Sequence, residues 1–187
     1  PRLLEELLRL MRGGAAHRSI YLSWDLGVLA ELLPEVASFF DDDAPGTGRT
    51  WGRLMAIDRR HAEGKLPSDA VLITALLLGP LEELLEGARD PSALYDEVME
   101  DAAFRLALPR RIKERVRLIV TSQRRLRQGK LGSLVRRDYF VDAATVFALD
   151  QESRGQELPD WAVDPQSVSE AKPRRRRRRR RRRGGKS

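Results

Sequence analysis

The chain has 187 residues, 41% of them hydrophobic, no cysteine, and 35 Lys and Arg against 28 Asp and Glu, for a net charge of +7. The absence of cysteine excludes a disulfide framework and a Cys-ligated metal site, and the longest nearly apolar stretch, Ala70 to Gly79, falls well short of the ~20 residues a membrane span needs. No charged segment followed by an apolar one opens the chain, so nothing points to secretion, and the expected compartment is the cytoplasm.

Leu3, Leu4, Leu7, Leu8 and Met11 repeat at helical spacing and predict a first helix, ended by Gly13-Gly14. Because Pro1 already stands in that register, the chain is expected to be a piece of a longer protein. His17 to Leu26 predicts a second helix, Gly27 a break, and Val28 to Leu33 a short third helix stopped at Pro34. Asp41-Asp42-Asp43 with Pro45, Gly46 and Gly48 predicts a loop, and Trp51 to His61 the next helix. Ser68 or Asp69 suits the N-cap of a helix to about Glu86. It is apolar from Ala70 to Leu78 except at Thr74, the mark of a central helix, and Pro80 is expected to kink it. Pro91-Ser92 opens a helix through Leu106, Pro109 opens one to about Gln128, and a last helix covers Tyr139 to Asp150. No periodicity remains after Leu158-Pro159, so 159–187 is expected to be disordered. No run alternates at period two, so the predicted fold class is all-α. The expected divisions are a helical body over 1–104, a basic helical segment over 105–158 and a basic tail over 159–187.

The charge is blocked along the chain. Residues 1–104 carry 10 basic and 19 acidic side chains, and residues 105–137 carry 12 basic and one acidic, Glu114. Residues 138–171 carry one basic and eight acidic, and residues 172–187 carry 12 basic and no acidic. That last block holds ten consecutive arginines, Arg174 to Arg183. Each guanidinium stays charged and repels the next, so the run cannot pack; Lys172, Arg174, Arg178, Arg183 and Lys186 mark a tail suited to polyanions. An otherwise acidic body with one confined basic stripe is the footprint of a phosphate-gripping site. A wet helical face rich in arginine is the simpler alternative.

Within the basic segment, Ile112, Val116, Ile119, Val120 and Leu126 share one helical arc, the expected core face. Arg110, Lys113, Arg117 and Arg124 share an adjacent arc, a stripe roughly 20 Å long that three or four phosphates of a single strand could follow. Arg111, Arg125, Arg127, Lys130, Arg136 and Arg137 extend the positive surface. Tyr139 and Phe140 are expected to pack in the last helix, base stacking being the alternative.

Other motifs carry little. His17 and His61 are too isolated for a metal site. Gly184-Gly185-Lys186-Ser187 has the end of a phosphate-binding loop without its upstream glycine or following helix. Glu5-Glu6 and Glu82-Glu83 read as solvated faces, and no catalytic residue and no metal ligand is assigned.

Leu106-Ala107-Leu108-Pro109-Arg110-Arg111-Ile112 and Arg124-Arg125-Leu126-Arg127-Gln128-Gly129-Lys130 resemble the RNA-binding C-terminal region of bacterial poly(A) polymerases. These are class II nucleotidyltransferases, related to the CCA-adding tRNA enzymes. Leu29-Ala30-Glu31-Leu32-Leu33-Pro34-Glu35 and Leu66-Pro67-Ser68-Asp69-Ala70 resemble the neck and body of the same enzymes, and their arginine-rich tails match 172–187 in kind. The resemblance covers about residues 1–150 plus the tail, with 106–130 its most specific part. The sequence departs from the family at Arg136-Arg137-Asp138-Tyr139, where a His-Pro pair is usual.

The resemblance implies an all-helical body that holds an RNA 3′ end for a separate head. That head would transfer AMP from ATP with Mg²⁺. Its glycine turn and Asp-x-Asp pair are missing: Asp41-x-Asp43 lies in a loop between helices. The head is therefore expected before Pro1, and this chain alone is expected to be inactive. Single-stranded RNA 3′ ends are the expected partner, with RNA-degradation or helicase proteins as further candidates. The rival readings are the body of a CCA-adding enzyme and a non-enzymatic helical adaptor with a basic arm.

Overall fold

A computed structural model describes residues 2–86 and 89–170. Among these there are eleven α-helices, one 3-10 turn and no strand, so the fold is all-α. The helices are α1 (Arg2–Arg12), α2 (Ala16–Asp25), α3 (Val28–Leu32), α4 (Pro34–Asp41), α5 (Thr47–Ala62) and α6 (Asp69–Leu85). They continue with α7 (Pro91–Leu106), α8 (Arg110–Arg127), α9 (Phe140–Ser153), α10 (Asp160–Val163) and α11 (Pro165–Glu170), with the 3-10 turn at Leu134–Arg136.

The centre is α6. Every residue from Ala70 to Leu81 is buried, as a helix apolar on all sides requires. Thr74, its lone polar member there, donates its hydroxyl to the Ala70 carbonyl at 2.6 Å. Ser68 accepts from the Val71 N–H at 3.4 Å, capping the helix, and donates to Asp142 of α9 at 2.9 Å. The helix continues through Pro80 to Leu85. Gly79 is where α6 meets α4 and α5 most closely: a Cβ there would lie 2.6 Å from Thr50 Oγ1 and 2.8 Å from Phe39 Cζ.

Around α6 pack α1, α4, α5, α7, α8 and α9. One hydrophobic cluster runs from Leu4 to Ala162 and includes Leu72 and Leu76 of α6, Val116 and Ile119 of α8 and Phe140 and Leu149 of α9. Side chains from both sides of residue 104 share this core. A charged network crosses it. Arg53 of α5 is 1% exposed and donates to the Ala75 carbonyl at 3.0 Å, Thr50 Oγ1 at 2.7 Å and Asp150 Oδ1 of α9 at 2.8 Å. Arg154 donates to the other Asp150 oxygen at 2.9 Å.

Two stretches differ from the sequence reading. The short helix from Val28 does stop before Pro34, as expected, but Pro34 also begins a helix that the sequence reading lacked: at the first helical position its missing N–H costs nothing, and α4 follows with Val36, Ala37, Phe39 and Phe40 buried. The start of disorder expected at 159 is also corrected. Trp161 of α10 lies against Phe147 with ring centroids 4.8 Å apart, Ala162 is buried, and Val168 of α11 packs on the core. Two short apolar anchors need no periodicity to dock. The arginine tail, with Lys172, Arg174, Arg178, Arg183 and Lys186, lies outside the described residues.

The link between α7 and α8 is strained. Ala107 sits in the left-handed region at φ 50° and closes α7 through the Leu108 N–H, which donates to the Ala103 carbonyl at 2.9 Å. An L-residue there costs about 1–2 kcal/mol that glycine avoids. Ala107→Gly should therefore raise stability by about 0.5–1 kcal/mol, seen as a higher urea midpoint with an unchanged slope.

Candidate nucleic-acid interface

The basic helix α8 packs between α6 and α9. Val116, Ile119 and Leu126 are buried, and Ile112 and Val120 are partly buried against the core, so the apolar arc faces inward. Two polar side chains share that inner face. Ser122 donates to the Leu118 carbonyl at 2.6 Å, and Gln123 donates its amide to the Ile119 and Ala143 carbonyls, each at 3.1 Å. The core face is therefore not wholly apolar.

Helices α8 and α9 run in the same direction. Arg115 meets Asp142 at 3.6 Å, Gln123 meets Ala143, and Arg127 meets Asp150 at 3.8 Å, so contacts climb both helices together. The connection from Gln128 to Tyr139 must then travel back along α8. It carries Lys130, Arg136 and Arg137, all exposed. Asp138 at its end pairs with Arg115 at 3.2 Å. Near its start the turn curls under Arg125, which donates to the Leu131 carbonyl at 3.5 Å.

This geometry divides the predicted cations into two sets. Lys113 pairs with Glu100 and Arg117 with Asp96 at 3.4 Å, both acids of α7; Arg127 pairs with Glu82 of α6. The middle of the expected stripe is thus partly neutralised by its neighbours. Arg110, Arg111, Arg124, Arg125, Lys130, Arg136 and Arg137 are exposed and make no ion pair among the described residues. They stand at the two ends of α8 and on the returning connection. Such cations contact phosphates without giving up an existing partner, whereas a paired arginine must first lose its acid.

Phe140 is fully buried and Tyr139 packs partly buried on the core. Two other rings are open: Phe104 of α7 is 88% exposed, and Tyr21 of α2 is exposed, edge-on to Trp24 at 5.8 Å, while Trp24 donates its indole N–H to Asp41 at 2.8 Å. Trp51 stacks on Phe40 at 4.1 Å and joins this cluster to α5. Among the described residues no group of three or more His, Asp or Glu side chains converges to hold a metal ion, and no helix is long and apolar enough to cross a membrane.

Residues 1–40, a stretch that takes in α1 to α3 and all of α4 but Asp41, match the family model described as the probable RNA and SrmB-binding site of polymerase A. The match supports the resemblance to a poly(A) polymerase RNA-binding region; α8 lies outside the matched residues. No curated protein and no solved structure matches the chain. Asp69 of α6 stands between the matched segment and the basic helix. This carboxylate pairs with Arg12 of α1 and lines a cleft with Arg111, Ile112 and Arg115 of α8.

Proposed function

We propose that this chain is the RNA-binding helical part of a bacterial-type poly(A) polymerase. It would hold an RNA 3′ end for AMP addition from ATP and Mg²⁺ by a head outside these residues. The observation that carries the reading is Asp69 of α6, which pairs with Arg12 of the segment matching a polymerase A RNA-binding model and lines a cleft with Arg111 of α8, a cation with no acid partner among the described residues. RNA backbone would run along the ends of α8 and the returning connection, with Arg110, Arg111, Arg124, Arg125, Lys130, Arg136 and Arg137 on phosphates. Contacts of this kind position a strand and carry little base information, which suits an enzyme that extends many RNAs. The tail would add sequence-independent capture. A cytoplasmic location accompanies this reading.

The matched family description also names SrmB binding. Leu22 of α2, Leu26 just after it and Val28 of α3 are exposed within the matched residues, which makes this the face for a protein partner.

The test uses residues 1–170, which retain the whole core from Leu4 to Ala162. Fluorescence anisotropy of a labelled oligo(A) RNA should show tighter binding than an equal-length DNA duplex, with log K falling linearly with log salt. Equal or tighter binding to the duplex would replace this reading with that of a helical adaptor for polyanions in general.

A further inference from the structure

Phe104 of α7 is the most exposed large apolar side chain among the described residues, 88% open to solvent. Phe39, Phe40, Phe140 and Phe147 are all buried. On α7 itself Tyr95, Met99, Ala102 and Leu106 share one arc and are buried, and Phe104 stands on the opposite arc.

Ion pairs fix how α7 and α8 lie. Glu100 meets Lys113 and Asp96 meets Arg117 at 3.4 Å, so four residues back along α7 match four residues forward along α8. The two helices are therefore antiparallel. Continuing that register one turn toward their short link sets Arg110 against Ala103 and Phe104. Arg110 shares an arc with Lys113 and Arg117, the residues that reach α7, so it leaves α8 on the same side. Arg110 and Arg111 are both exposed and make no ion pair among the described residues. The most open ring thus stands at the end of α8 that carries these cations.

The surroundings decide what the ring can receive. The arc it occupies on α7 otherwise holds Ala93, Glu97 and Glu100, with no second large apolar side chain. A protein partner needs a contiguous apolar patch, whereas a lone ring among charges offers chiefly its flat face. Glu100 is taken by Lys113, and the exposed Asp101 lies on the side of the ring away from α8. A phosphate is therefore favoured on the α8 side, and an aromatic face beside such cations is the arrangement that binds single strands.

We infer that Phe104 is a stacking platform for one unpaired base of the RNA, with the adjoining phosphates on Arg110 and Arg111. The inference rests on the RNA-binding reading and supplies what phosphate contacts lack, a reason to prefer single strands: bases paired within a duplex present their edges, not their faces. It reads no base identity, since every base has a π-face.

Fluorescence anisotropy of the 187-residue chain tests it, with labelled oligo(A) RNA and with an abasic ribose-phosphate oligomer of equal length. The two carry the same phosphates, so the ratio of their affinities removes the phosphate contacts, those of the tail included. Phe104→Ala should cut that ratio about fivefold or more through weaker oligo(A) binding. Affinity for the abasic oligomer, the salt slope and the urea midpoint should not change, because an exposed ring releases no counterion and holds no core. Phe104→Trp should keep the ratio and Phe104→Leu should lose it, since leucine has bulk without a π-face. An unchanged ratio in Phe104→Ala, a ratio kept by leucine, or an equal loss on both oligomers would overturn the platform; the last would make Phe104 a support of the α7–α8 link. If the parent chain still prefers oligo(A) over duplex in those cases, the RNA-binding reading stands and only the stacking fails. Absence of that preference in the parent removes both.

Discussion

Asp150→Ala should destabilise the fold by about 3–5 kcal/mol, the cost of stranding a buried charge. Arg53 is 1% exposed, and Asp150 is the acid that meets its guanidinium. Burial alone lowers the Arg53 pKa, and the Asp150 carboxylate opposes that shift. With the carboxylate gone, the guanidinium keeps Thr50 Oγ1 and the Ala75 carbonyl but no carboxylate in contact, Glu82 acting only from beyond ion-pair distance. Urea unfolding followed by tryptophan fluorescence measures the loss. The double replacement Arg53→Met with Asp150→Leu should recover much of it, because an apolar pair of similar volume avoids desolvating two charges. Glu6→Gln, which removes an exposed pairing with Arg9 at 3.5 Å, should stay within about 1 kcal/mol of the parent. A loss under about 1 kcal/mol for Asp150→Ala would mean that water reaches Arg53 and that the network does not join α5 to α9 as described.

Neutralising Arg124, Arg125, Arg136 and Arg137 together to Gln should flatten the salt dependence of oligo(A) binding by about 2–3 units of slope. Each phosphate contact on a single strand contributes about 0.7. Neutralising Lys113 and Arg117 should change it by less than about 0.7 in all, since their charges are already balanced by Glu100 and Asp96. Both measurements belong on residues 1–170, where the tail does not mask the difference. An equal change from the two variants would show that the ion pairs to α7 open freely and that the whole stripe contacts RNA. An unchanged slope in the quadruple variant would move the RNA site away from α8, toward the matched helices α1 to α4.

The contrast between these sets marks how far the sequence could be read. The apolar spacing of Ile112, Val116, Ile119 and Leu126 placed the buried face of α8, because a helix's own geometry decides which residues share an arc. The same arithmetic put Lys113 and Arg117 in one stripe with Arg110 and Arg124. It could not show that the acids of α7, well separated in the chain, would lie against the first two. Arg127 was legible as a surface cation, yet it pairs with Glu82 and approaches Asp150, joining the basic face to the buried network. Arg53 carried no signal: one arginine in a helix with Arg59 and Arg60 reads as surface until its partners are placed. Phe104 was equally silent, since an apolar side chain near a helix end reads as core until the fold leaves it open.

The sequence by itself determined the helices with strong periodicity, the central role of the apolar α6 and the division of charge into an acidic body and a basic stretch. Those follow from local spacing and composition, which act within a few turns. The tertiary structure alone decided that Pro34 begins a helix and that Trp161 anchors the end of the described chain. It also decided that α9 runs parallel to α8, with the basic connection folded back between their ends. Which cations of α8 pair with an acid among the described residues was decided at that level too, because an ion pair depends on distance in space and falls away when the two helices are read apart.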